Sequence, residues 1–293
     1  MSYTLSGLDV SQDIKAELKT EVSLLKKQSI DVCLATVLVG DDPASHSYIK
    51  GKIRNCEELG IISRHFDLPQ ETSQAALLEL IDRLNCDQSV NGILVQLPLP
   101  SHINEDTVIN AINPKKDVDG FTPTSAGNLL IGQDGFVPCT PAGIIELLKR
   151  NHIKTQGAEV VIVGRSNLVG KPVANLLLRK SESGDATVTV CHSRTKNIKE
   201  HTLRADILIA AIGKAKFITA DMVKEGAIVI DVGVNRIGTA ENGKSILAGD
   251  VDYTEVEKKV SYITPVPGGV GPMTIAMLMK NTVKATKMQN GLI

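Results

Sequence analysis

The sequence predicts an α/β protein of two domains, each built on largely parallel strands. Three observations carry that prediction. The chain has 293 residues, more than a single hydrophobic core commonly serves. Short β-branched apolar runs alternate with segments of helical period, the pattern of strand–helix–strand units. Each apolar run is nearly continuous rather than alternating, as expected for strands covered on both faces.

The first strand is read at "CLATVLVG", Cys33–Gly40, and the next at "GILVQLPLP", Gly92–Pro100. Between them lie a helix that starts at Ser45, after "GDDPA", and a second from about Ser73 to Leu84. A stretch rich in Gly, Pro, Asp and Thr then breaks the pattern. Thr140-Pro141 offers an N-cap and a first-turn proline for a helix through about Arg150. The domain boundary is placed there, giving domains at 1–139 and 140–270. The second domain reads as strand 158–164, a helix from about 169, and strands 186–193, 205–213 and 226–233. A last helix, about 271–293, repeats Ile275, Met279 and Val283 at every fourth position. It is expected to pack back on the first domain.

Composition narrows the function classes. Thirty-two basic against 33 acidic residues give a net charge of −1, without the basic excess of nucleic-acid or membrane-surface proteins. Hydrophobic residues make up 42% and charged ones 22%, an ordinary globular balance. Four tyrosines, four phenylalanines and no tryptophan imply an aliphatic core and few stacking platforms for single strands. The cysteines (Cys33, Cys56, Cys86, Cys139 and Cys191) are scattered, which suits reduced thiols. Neither they nor the six histidines show metal-ligand spacing, so no metal is expected. The N-terminal stretch lacks a signal-peptide core, and no apolar run reaches the roughly 18 residues of a span. The expectation is a soluble, cytoplasmic protein without a nucleic-acid or membrane partner.

"VVIVGRSNLVGKP" places a buried strand, a turn and a helix start in succession, the context in which helix amides hold a phosphate. Gly164 and Gly170 fit a dinucleotide fingerprint, while Ser166 stands at its second glycine position. The plainer reading is a helix start that needs glycine only for close packing. An NAD-selective site places an acid at the end of the second strand. Here that strand ends "CHSRT", with no acid. Ser193, Arg194 and the turn's Arg165 are donors suited to a 2′-phosphate, so NADP is favoured. Otherwise Arg194 is a solvated strand-end residue.

In "SYIKGKIRNCEELGI" a turn of 100° per residue puts Ile49, Ile53, Cys56 and Gly60 on a core stripe. Lys50, Arg54, Glu57 and Glu58 fall on a solvated face, where opposite charges pair. Tyr48, Lys52, Asn55 and Leu59 form a second stripe beside the core. A partly desolvated lysine at that edge loses proton affinity and becomes usable in acid–base chemistry. A lysine snorkelling beside a tyrosine is the bland alternative. Gln96 is a polar residue near the end of an apolar strand, where parallel sheets place ligands, or else a glutamine bonded within the core. "KKDVDGF" brings Asp117 and Asp119 next to Gly120, in a stretch that also reads as a turn.

Taken in order, "SYIKGKIRNCEELGI", "GILVQLPLP", "PKKDVDGFTPTSAGNL", "PCTPAG", "VIVGRSNLVGKP", "TVCHSRT", "VIDVGVN" and "TPVPGGVGPMT" cover most of the chain. Together they resemble the bifunctional methylenetetrahydrofolate dehydrogenase/methenyltetrahydrofolate cyclohydrolase family. The resemblance implies an N-terminal α/β folate domain and a Rossmann-like NADP-binding domain. It implies NADP-dependent oxidation of 5,10-methylenetetrahydrofolate, then hydrolysis to 10-formyltetrahydrofolate in one shared site, by a homodimer.

By the same resemblance Lys52 is the catalytic lysine, Tyr48 packs on the folate rings and Gln96 positions the lysine. Asp119 holds the pterin nitrogens, with Val95 and Leu97 beside Gln96 at the substrate. A loop of Pro265, Val266, Pro267, Gly268, Gly269, Val270, Gly271, Pro272 and Met273 completes the folate site. Gly164, Arg165, Ser166, Ser193, Arg194 and Val234 contact the dinucleotide.

Two departures stand out. Val234 replaces the family's common isoleucine, and about four extra residues around "KSESGD" should form a surface insertion. Three alternatives stay open: a shikimate-dehydrogenase-like NADP oxidoreductase, a family member with one of the two activities, and a non-catalytic folate or nucleotide binder.

Overall fold

The computed structural model describes residues 2–239 and 245–293. The chain divides into two compact units. One holds Asp13–Cys139 and Ile275–Ile293; the other holds the residues up to Gln12 together with Thr140–Thr274. The first residues therefore group with the later half, and not with the 1–139 domain expected from sequence. The reason is a backbone pairing: β1 (Tyr3–Thr4) lies parallel to Tyr262–Ile263.

Helix α1 (Gly7–Lys27) buries Ile14, Leu18, Val22 and Leu25 at three- and four-residue spacing. β2 (Cys33–Val39) is buried at every position, as its unbroken apolar run requires. α2 (Pro43–Leu59) starts earlier than expected. Asp42 is its cap, Pro43 opens it, and the Ser45 N–H donates to Asp42 Oδ2 at 2.8 Å. It ends at Gly60, a left-handed cap (φ 75°) that is exposed rather than part of the core stripe.

β3 (Ile62–Leu68), "ISRHFDL", is a strand that the apolar pattern does not announce. It is an edge strand, and such strands carry charge. α3 (Gln74–Cys86) is capped by Ser73. β4 (Gly92–Val95) stops before Gln96, shorter than the Gly92–Pro100 run, because Pro98 and Pro100 have no N–H for a ladder. The sheet order is β3-β2-β4, all parallel. α3 and α4 (Glu105–Ala111) cover one face through Leu77, Ile81, Val108 and the sheet's Val37 and Ile93.

α5 (Pro123–Ile131) follows, then α6 (Cys139–Arg150), which begins one residue before the expected Thr140 cap.

The other unit contains β5 (Glu159–Val163), α7 (Gly170–Leu178), β6 (Thr187–Cys191), α8 (Ile198–Thr202), β7 (Ile207–Ala210) and β8 (Ile228–Asp231). A hairpin of β9 (Asn235–Thr239) and β10 (Ser245–Ala248), then α9 (Tyr253–Val256) and β11 (Tyr262–Ile263), complete it. The sheet order is β1-β11-β8-β7-β5-β6, with every pair parallel. From β5 the chain builds outward to β6, then returns to place β7 on β5's other side. That reversal makes a topological switch point at the carboxyl ends of β5 and β7.

α10 (Val270–Gln289) is buried around most of its circumference, not along one stripe: Ala276, Met277, Leu278, Met279, Thr282, Val283, Ala285 and Thr286 are all inside. From Ile275 onward it belongs with the β3-β2-β4 unit, where Met279 meets Cys56 and Gln289 holds the Asn91 and Lys115 carbonyls. Among the described residues no helix is long and apolar enough to cross a membrane.

Candidate active site

Lys52 lies deeper than its sequence angle suggests. Only 8% of it is exposed, within a buried stripe of Ser45, Ile49, Lys52, Asn55, Cys56 and Leu59. Ile53, placed on the core stripe by sequence, is half-buried instead. Lys50, Arg54, Glu57 and Glu58 are exposed, as their face predicts. Tyr48, one turn before Lys52, leaves 44% of its surface open, so its ring is available to a ligand.

The Lys52 ammonium donates to Gln96 Oε1 at 2.8 Å. Gln96 is oriented in turn: its Nε2 donates to Leu97 O at 2.6 Å, and its backbone N–H to Val37 O at 2.8 Å. The amide's oxygen is thereby aimed at the lysine. Burial pushes the Lys52 ammonium below its ordinary 10.5, while the negative charge of Asp119 works the other way.

The two aspartates of "DVD" have separate tasks. Asp117 is buried, and its carboxylate accepts from the N–H groups of Gly120, Phe121 and Thr122 and from the Ser125 hydroxyl. It is committed to building the turn into α5. Asp119 is left for other work. Burial raises its carboxyl above the ordinary 3.8, with Lys52 opposing and Asp117 adding.

A bridge between Ile93 and Asp117 sets this segment alongside β4. On α10, Asn281 donates through Nδ2 to Val118 O at 2.8 Å and Val137 O at 3.1 Å, clamping the chain beside Asp119. Sequence reasoning treated Cys139 only as a buried thiol. It sits against Asp119; burial and that neighbouring charge keep the thiol protonated, and its Sγ donates to Val118 O at 3.4 Å. Its place in "PCTPAG", at a helix start, was the available signal.

In the Rossmann-like unit Gly164 and Gly170 have a shared reason. Gly164 has φ 147°, and a Cβ there would lie 2.2 Å from Ala211 O. A Cβ on Gly170 would lie 2.2 Å from Gly164 O, so α7 starts against the strand end. Ser166, at the second glycine position, receives the Val169 N–H on its hydroxyl at 3.0 Å and shapes the turn.

Arg165, Ser193 and Arg194 are exposed, and Gly164 N–H to Cys191 O (2.8 Å) sets their two segments side by side. Val234 is also exposed. A cradle that a Cβ would fill, beside guanidinium and hydroxyl donors, fits a phosphorylated dinucleotide. The "KSESGD" stretch, expected to be a surface insertion, runs between α7 and β6 and is largely exposed.

The predicted Pro265–Met273 loop is a loop only to Gly269. Val270, Gly271, Pro272 and Met273 form the first turn of α10. Pro267 and Gly271 are exposed, Pro265, Val266, Gly268 and Pro272 partly so, and Gly269 and Val270 are buried. Met273 is fully buried, under Gly143 of α6. Among the described residues no cluster of His, Cys, Asp or Glu is suited to a metal.

Comparison with known proteins covers nearly all of the chain. A family model described as tetrahydrofolate dehydrogenase/cyclohydrolase, catalytic domain, matches residues 5–119. One described as tetrahydrofolate dehydrogenase/cyclohydrolase, NAD(P)-binding domain, matches residues 138–290. The bifunctional protein FolD of Dehalococcoides mccartyi (strain CBDB1) is 58% identical, over 100% of this chain and 99% of that one.

Among solved structures, the bifunctional FolD methylenetetrahydrofolate dehydrogenase/cyclohydrolase from Campylobacter jejuni has a TM-score of 0.92 at 52% identity, covering 98% of this chain and 99% of that one. The Trypanosoma brucei enzyme, complexed with NADP cofactor and an inhibitor, has a TM-score of 0.93 at 36% identity, covering 98% of each chain.

Proposed function

The chain belongs to the tetrahydrofolate dehydrogenase/cyclohydrolase family, and on that premise we propose that it oxidises 5,10-methylenetetrahydrofolate with NADP+ and hydrolyses the methenyl product to 10-formyltetrahydrofolate in one shared site. The observation that carries the reading is the Lys52–Gln96 hydrogen bond, made by a buried ammonium whose proton affinity is lowered. The family match across both halves of the chain sets the shikimate-dehydrogenase-like alternative aside.

Tyr48 packs on the folate rings, with Val95 and Leu97 bordering them. The Asp119 carboxylate accepts two N–H bonds from the 2-amino-pyrimidinone, a bidentate contact that fixes orientation as well as affinity. Pro265–Met273 completes the folate site. Gly164, Arg165, Ser166, Ser193, Arg194 and Val234 hold the dinucleotide, the arginines meeting its 2′-phosphate. When bound, NADP+ supplies the hydride acceptor.

Oxidation needs orientation above all, because a substrate nitrogen lone pair stabilises the cation left behind. Hydrolysis needs a proton carrier. In the neutral state Lys52 takes a proton from the attacking water; as the ammonium it returns one to the departing ring nitrogen. Gln96 keeps its Nζ aimed. A homodimer and a cytoplasmic setting belong to the same reading, the latter supported by five free thiols.

The deciding assay supplies methylenetetrahydrofolate with NADP+ or NAD+ and follows reduced cofactor and methenyl product separately. Cofactor reduction with NADP+, and methenyl product consumed faster than in buffer, is expected. No reduction with either dinucleotide would overturn the dehydrogenase, and methenyl decay at the buffer rate would leave a dehydrogenase alone.

The pH profile has a definite sign. Hydrolysis should rise with pH as Lys52 loses its proton, with a midpoint below the ordinary 10.5. On the acid side a second decline should follow protonation of Asp119, above the ordinary 3.8. A rate profile flat across this range would contradict the role of Lys52.

A further inference from the structure

Two buried carboxylates stand in series at the carboxyl edge of the six-stranded sheet. Asp231, the last residue of β8, accepts on Oδ1 from the N–H groups of Gly233 (3.0 Å) and Asp250 (2.8 Å), and on Oδ2 from that of Val251 (3.0 Å). Asp250 is fully buried. Its Oδ2 accepts from the N–H groups of Ile212 (2.7 Å) and Gly213 (2.8 Å), and its Oδ1 from the Asn235 amide (2.9 Å). Asp231 thus holds the backbone of Asp250, whose carboxylate holds the loop leaving β7.

The packing leaves no slack. A Cβ on Gly249 would lie 1.8 Å from Asp231 Oδ2, and one on Gly233 would lie 2.1 Å from Asp250 Oδ1. Burying two carboxylates together is costly. Burial lifts Asp231 to about 6; its three backbone donors oppose this and the Asp250 charge adds to it.

What the pair holds is the loop at the switch point. The Ala211 N–H donates to Val163 O at 2.8 Å, and Ala211 O is the atom that a Cβ on Gly164 would strike. The loop therefore borders the glycine turn described above, where an α/β sheet binds its ligand. Gly213 adopts φ 72° with open space around its Cβ position, so its conformation serves the direction of its N–H and not close packing.

We propose that Asp250 is a positioning residue for dinucleotide binding: its carboxylate fixes the Ile212–Gly213 amides, and with them the loop wall beside the glycine turn. The inference rests on the proposed cofactor use and adds a residue that touches no ligand.

Asp250→Asn removes the charge that the loop amides share, and its –NH2 either faces the loop N–H groups or forces the Asn235 amide to turn and give up its bond to Ala248 O. The expected result is an NADP+ Kd raised about tenfold or more. Cyclohydrolase activity on methenyltetrahydrofolate without added nucleotide should stay within about twofold, because Lys52, Gln96 and Asp119 lie in the other unit. A general loss of folding would lower both readouts, so the split separates positioning from mere stability.

Should Asp250→Asn fail to fold, Asp231→Asn, which keeps the Asp250 carboxylate and loosens the hold on the Gly233, Asp250 and Val251 backbone, carries the same test. An NADP+ Kd equal to wild type, or a parallel fall in cyclohydrolase activity, in the variant that folds overturns the proposal. A wild-type protein that binds no NADP+ would instead overturn the proposed cofactor use, and this inference with it.

Discussion

Lys52→Met is expected to lower methenyltetrahydrofolate hydrolysis by about 10²–10⁴-fold, the usual worth of a positioned acid–base group, with NADP+ binding unchanged. Methionine suits the site because it keeps an unbranched chain where only 8% of the residue is exposed, and removes just the titrating nitrogen. Gln96 Oε1 then loses its donor at 2.8 Å, and Asp119 loses the positive charge that favours its ionised form. Folate affinity should therefore also weaken.

Stability should change little. A buried cation is costly, and its removal offsets the lost hydrogen bond. Single-turnover hydrolysis, NADP+ titration and a denaturant midpoint separate these effects. Full hydrolytic activity in the variant would remove Lys52 from the mechanism.

Gly164→Ala is expected to cost about 3 kcal/mol or more of stability and at least about tenfold in NADP+ affinity. Two independent obstacles meet at this position. Its φ of 147° is one that L side chains rarely adopt, and the new Cβ would lie 2.2 Å from Ala211 O and 2.8 Å from Ala211 C. Those are backbone atoms at the end of β7, so relief requires β5 and β7 to part at the switch point. Denaturant unfolding with and without NADP+ reads both losses. A variant with wild-type midpoint and affinity would show that the strand end accommodates a side chain.

The fold was legible wherever burial is complete. Cys33–Val39, Glu159–Val163 and Ile207–Ala210 are central strands, and their apolar runs have no other use. The edge strand Ile62–Leu68 was not legible, because its exposed position fills it with Arg64, His65 and Asp67. Nor was the pairing of Tyr3–Thr4 with Tyr262–Ile263, a two-residue ladder between the ends of the chain.

Within the site, helical angle singled out Lys52 but set it at the rim, since periodicity cannot tell how deep a neighbouring loop will cover a stripe. Spacing alone does not divide Asp117 from Asp119. The division comes from the donors converging on Asp117, which depend on where the turn into α5 closes. Asp231 ends a strand and Asp250 lies in a bend 19 residues on, and only the folded sheet brings them together.

The proposed hydrolysis depends on a Lys52 of lowered proton affinity, aimed by Gln96. The most direct test is an NMR titration of its ε-carbon in protein carrying labelled lysine, assigned by the signal lost in Lys52→Met. A midpoint clearly below the ordinary 10.5, moving when Gln96→Leu removes the 2.8 Å partner, is the predicted result. A Lys52 signal titrating with the exposed lysines, indifferent to Gln96, would contradict it.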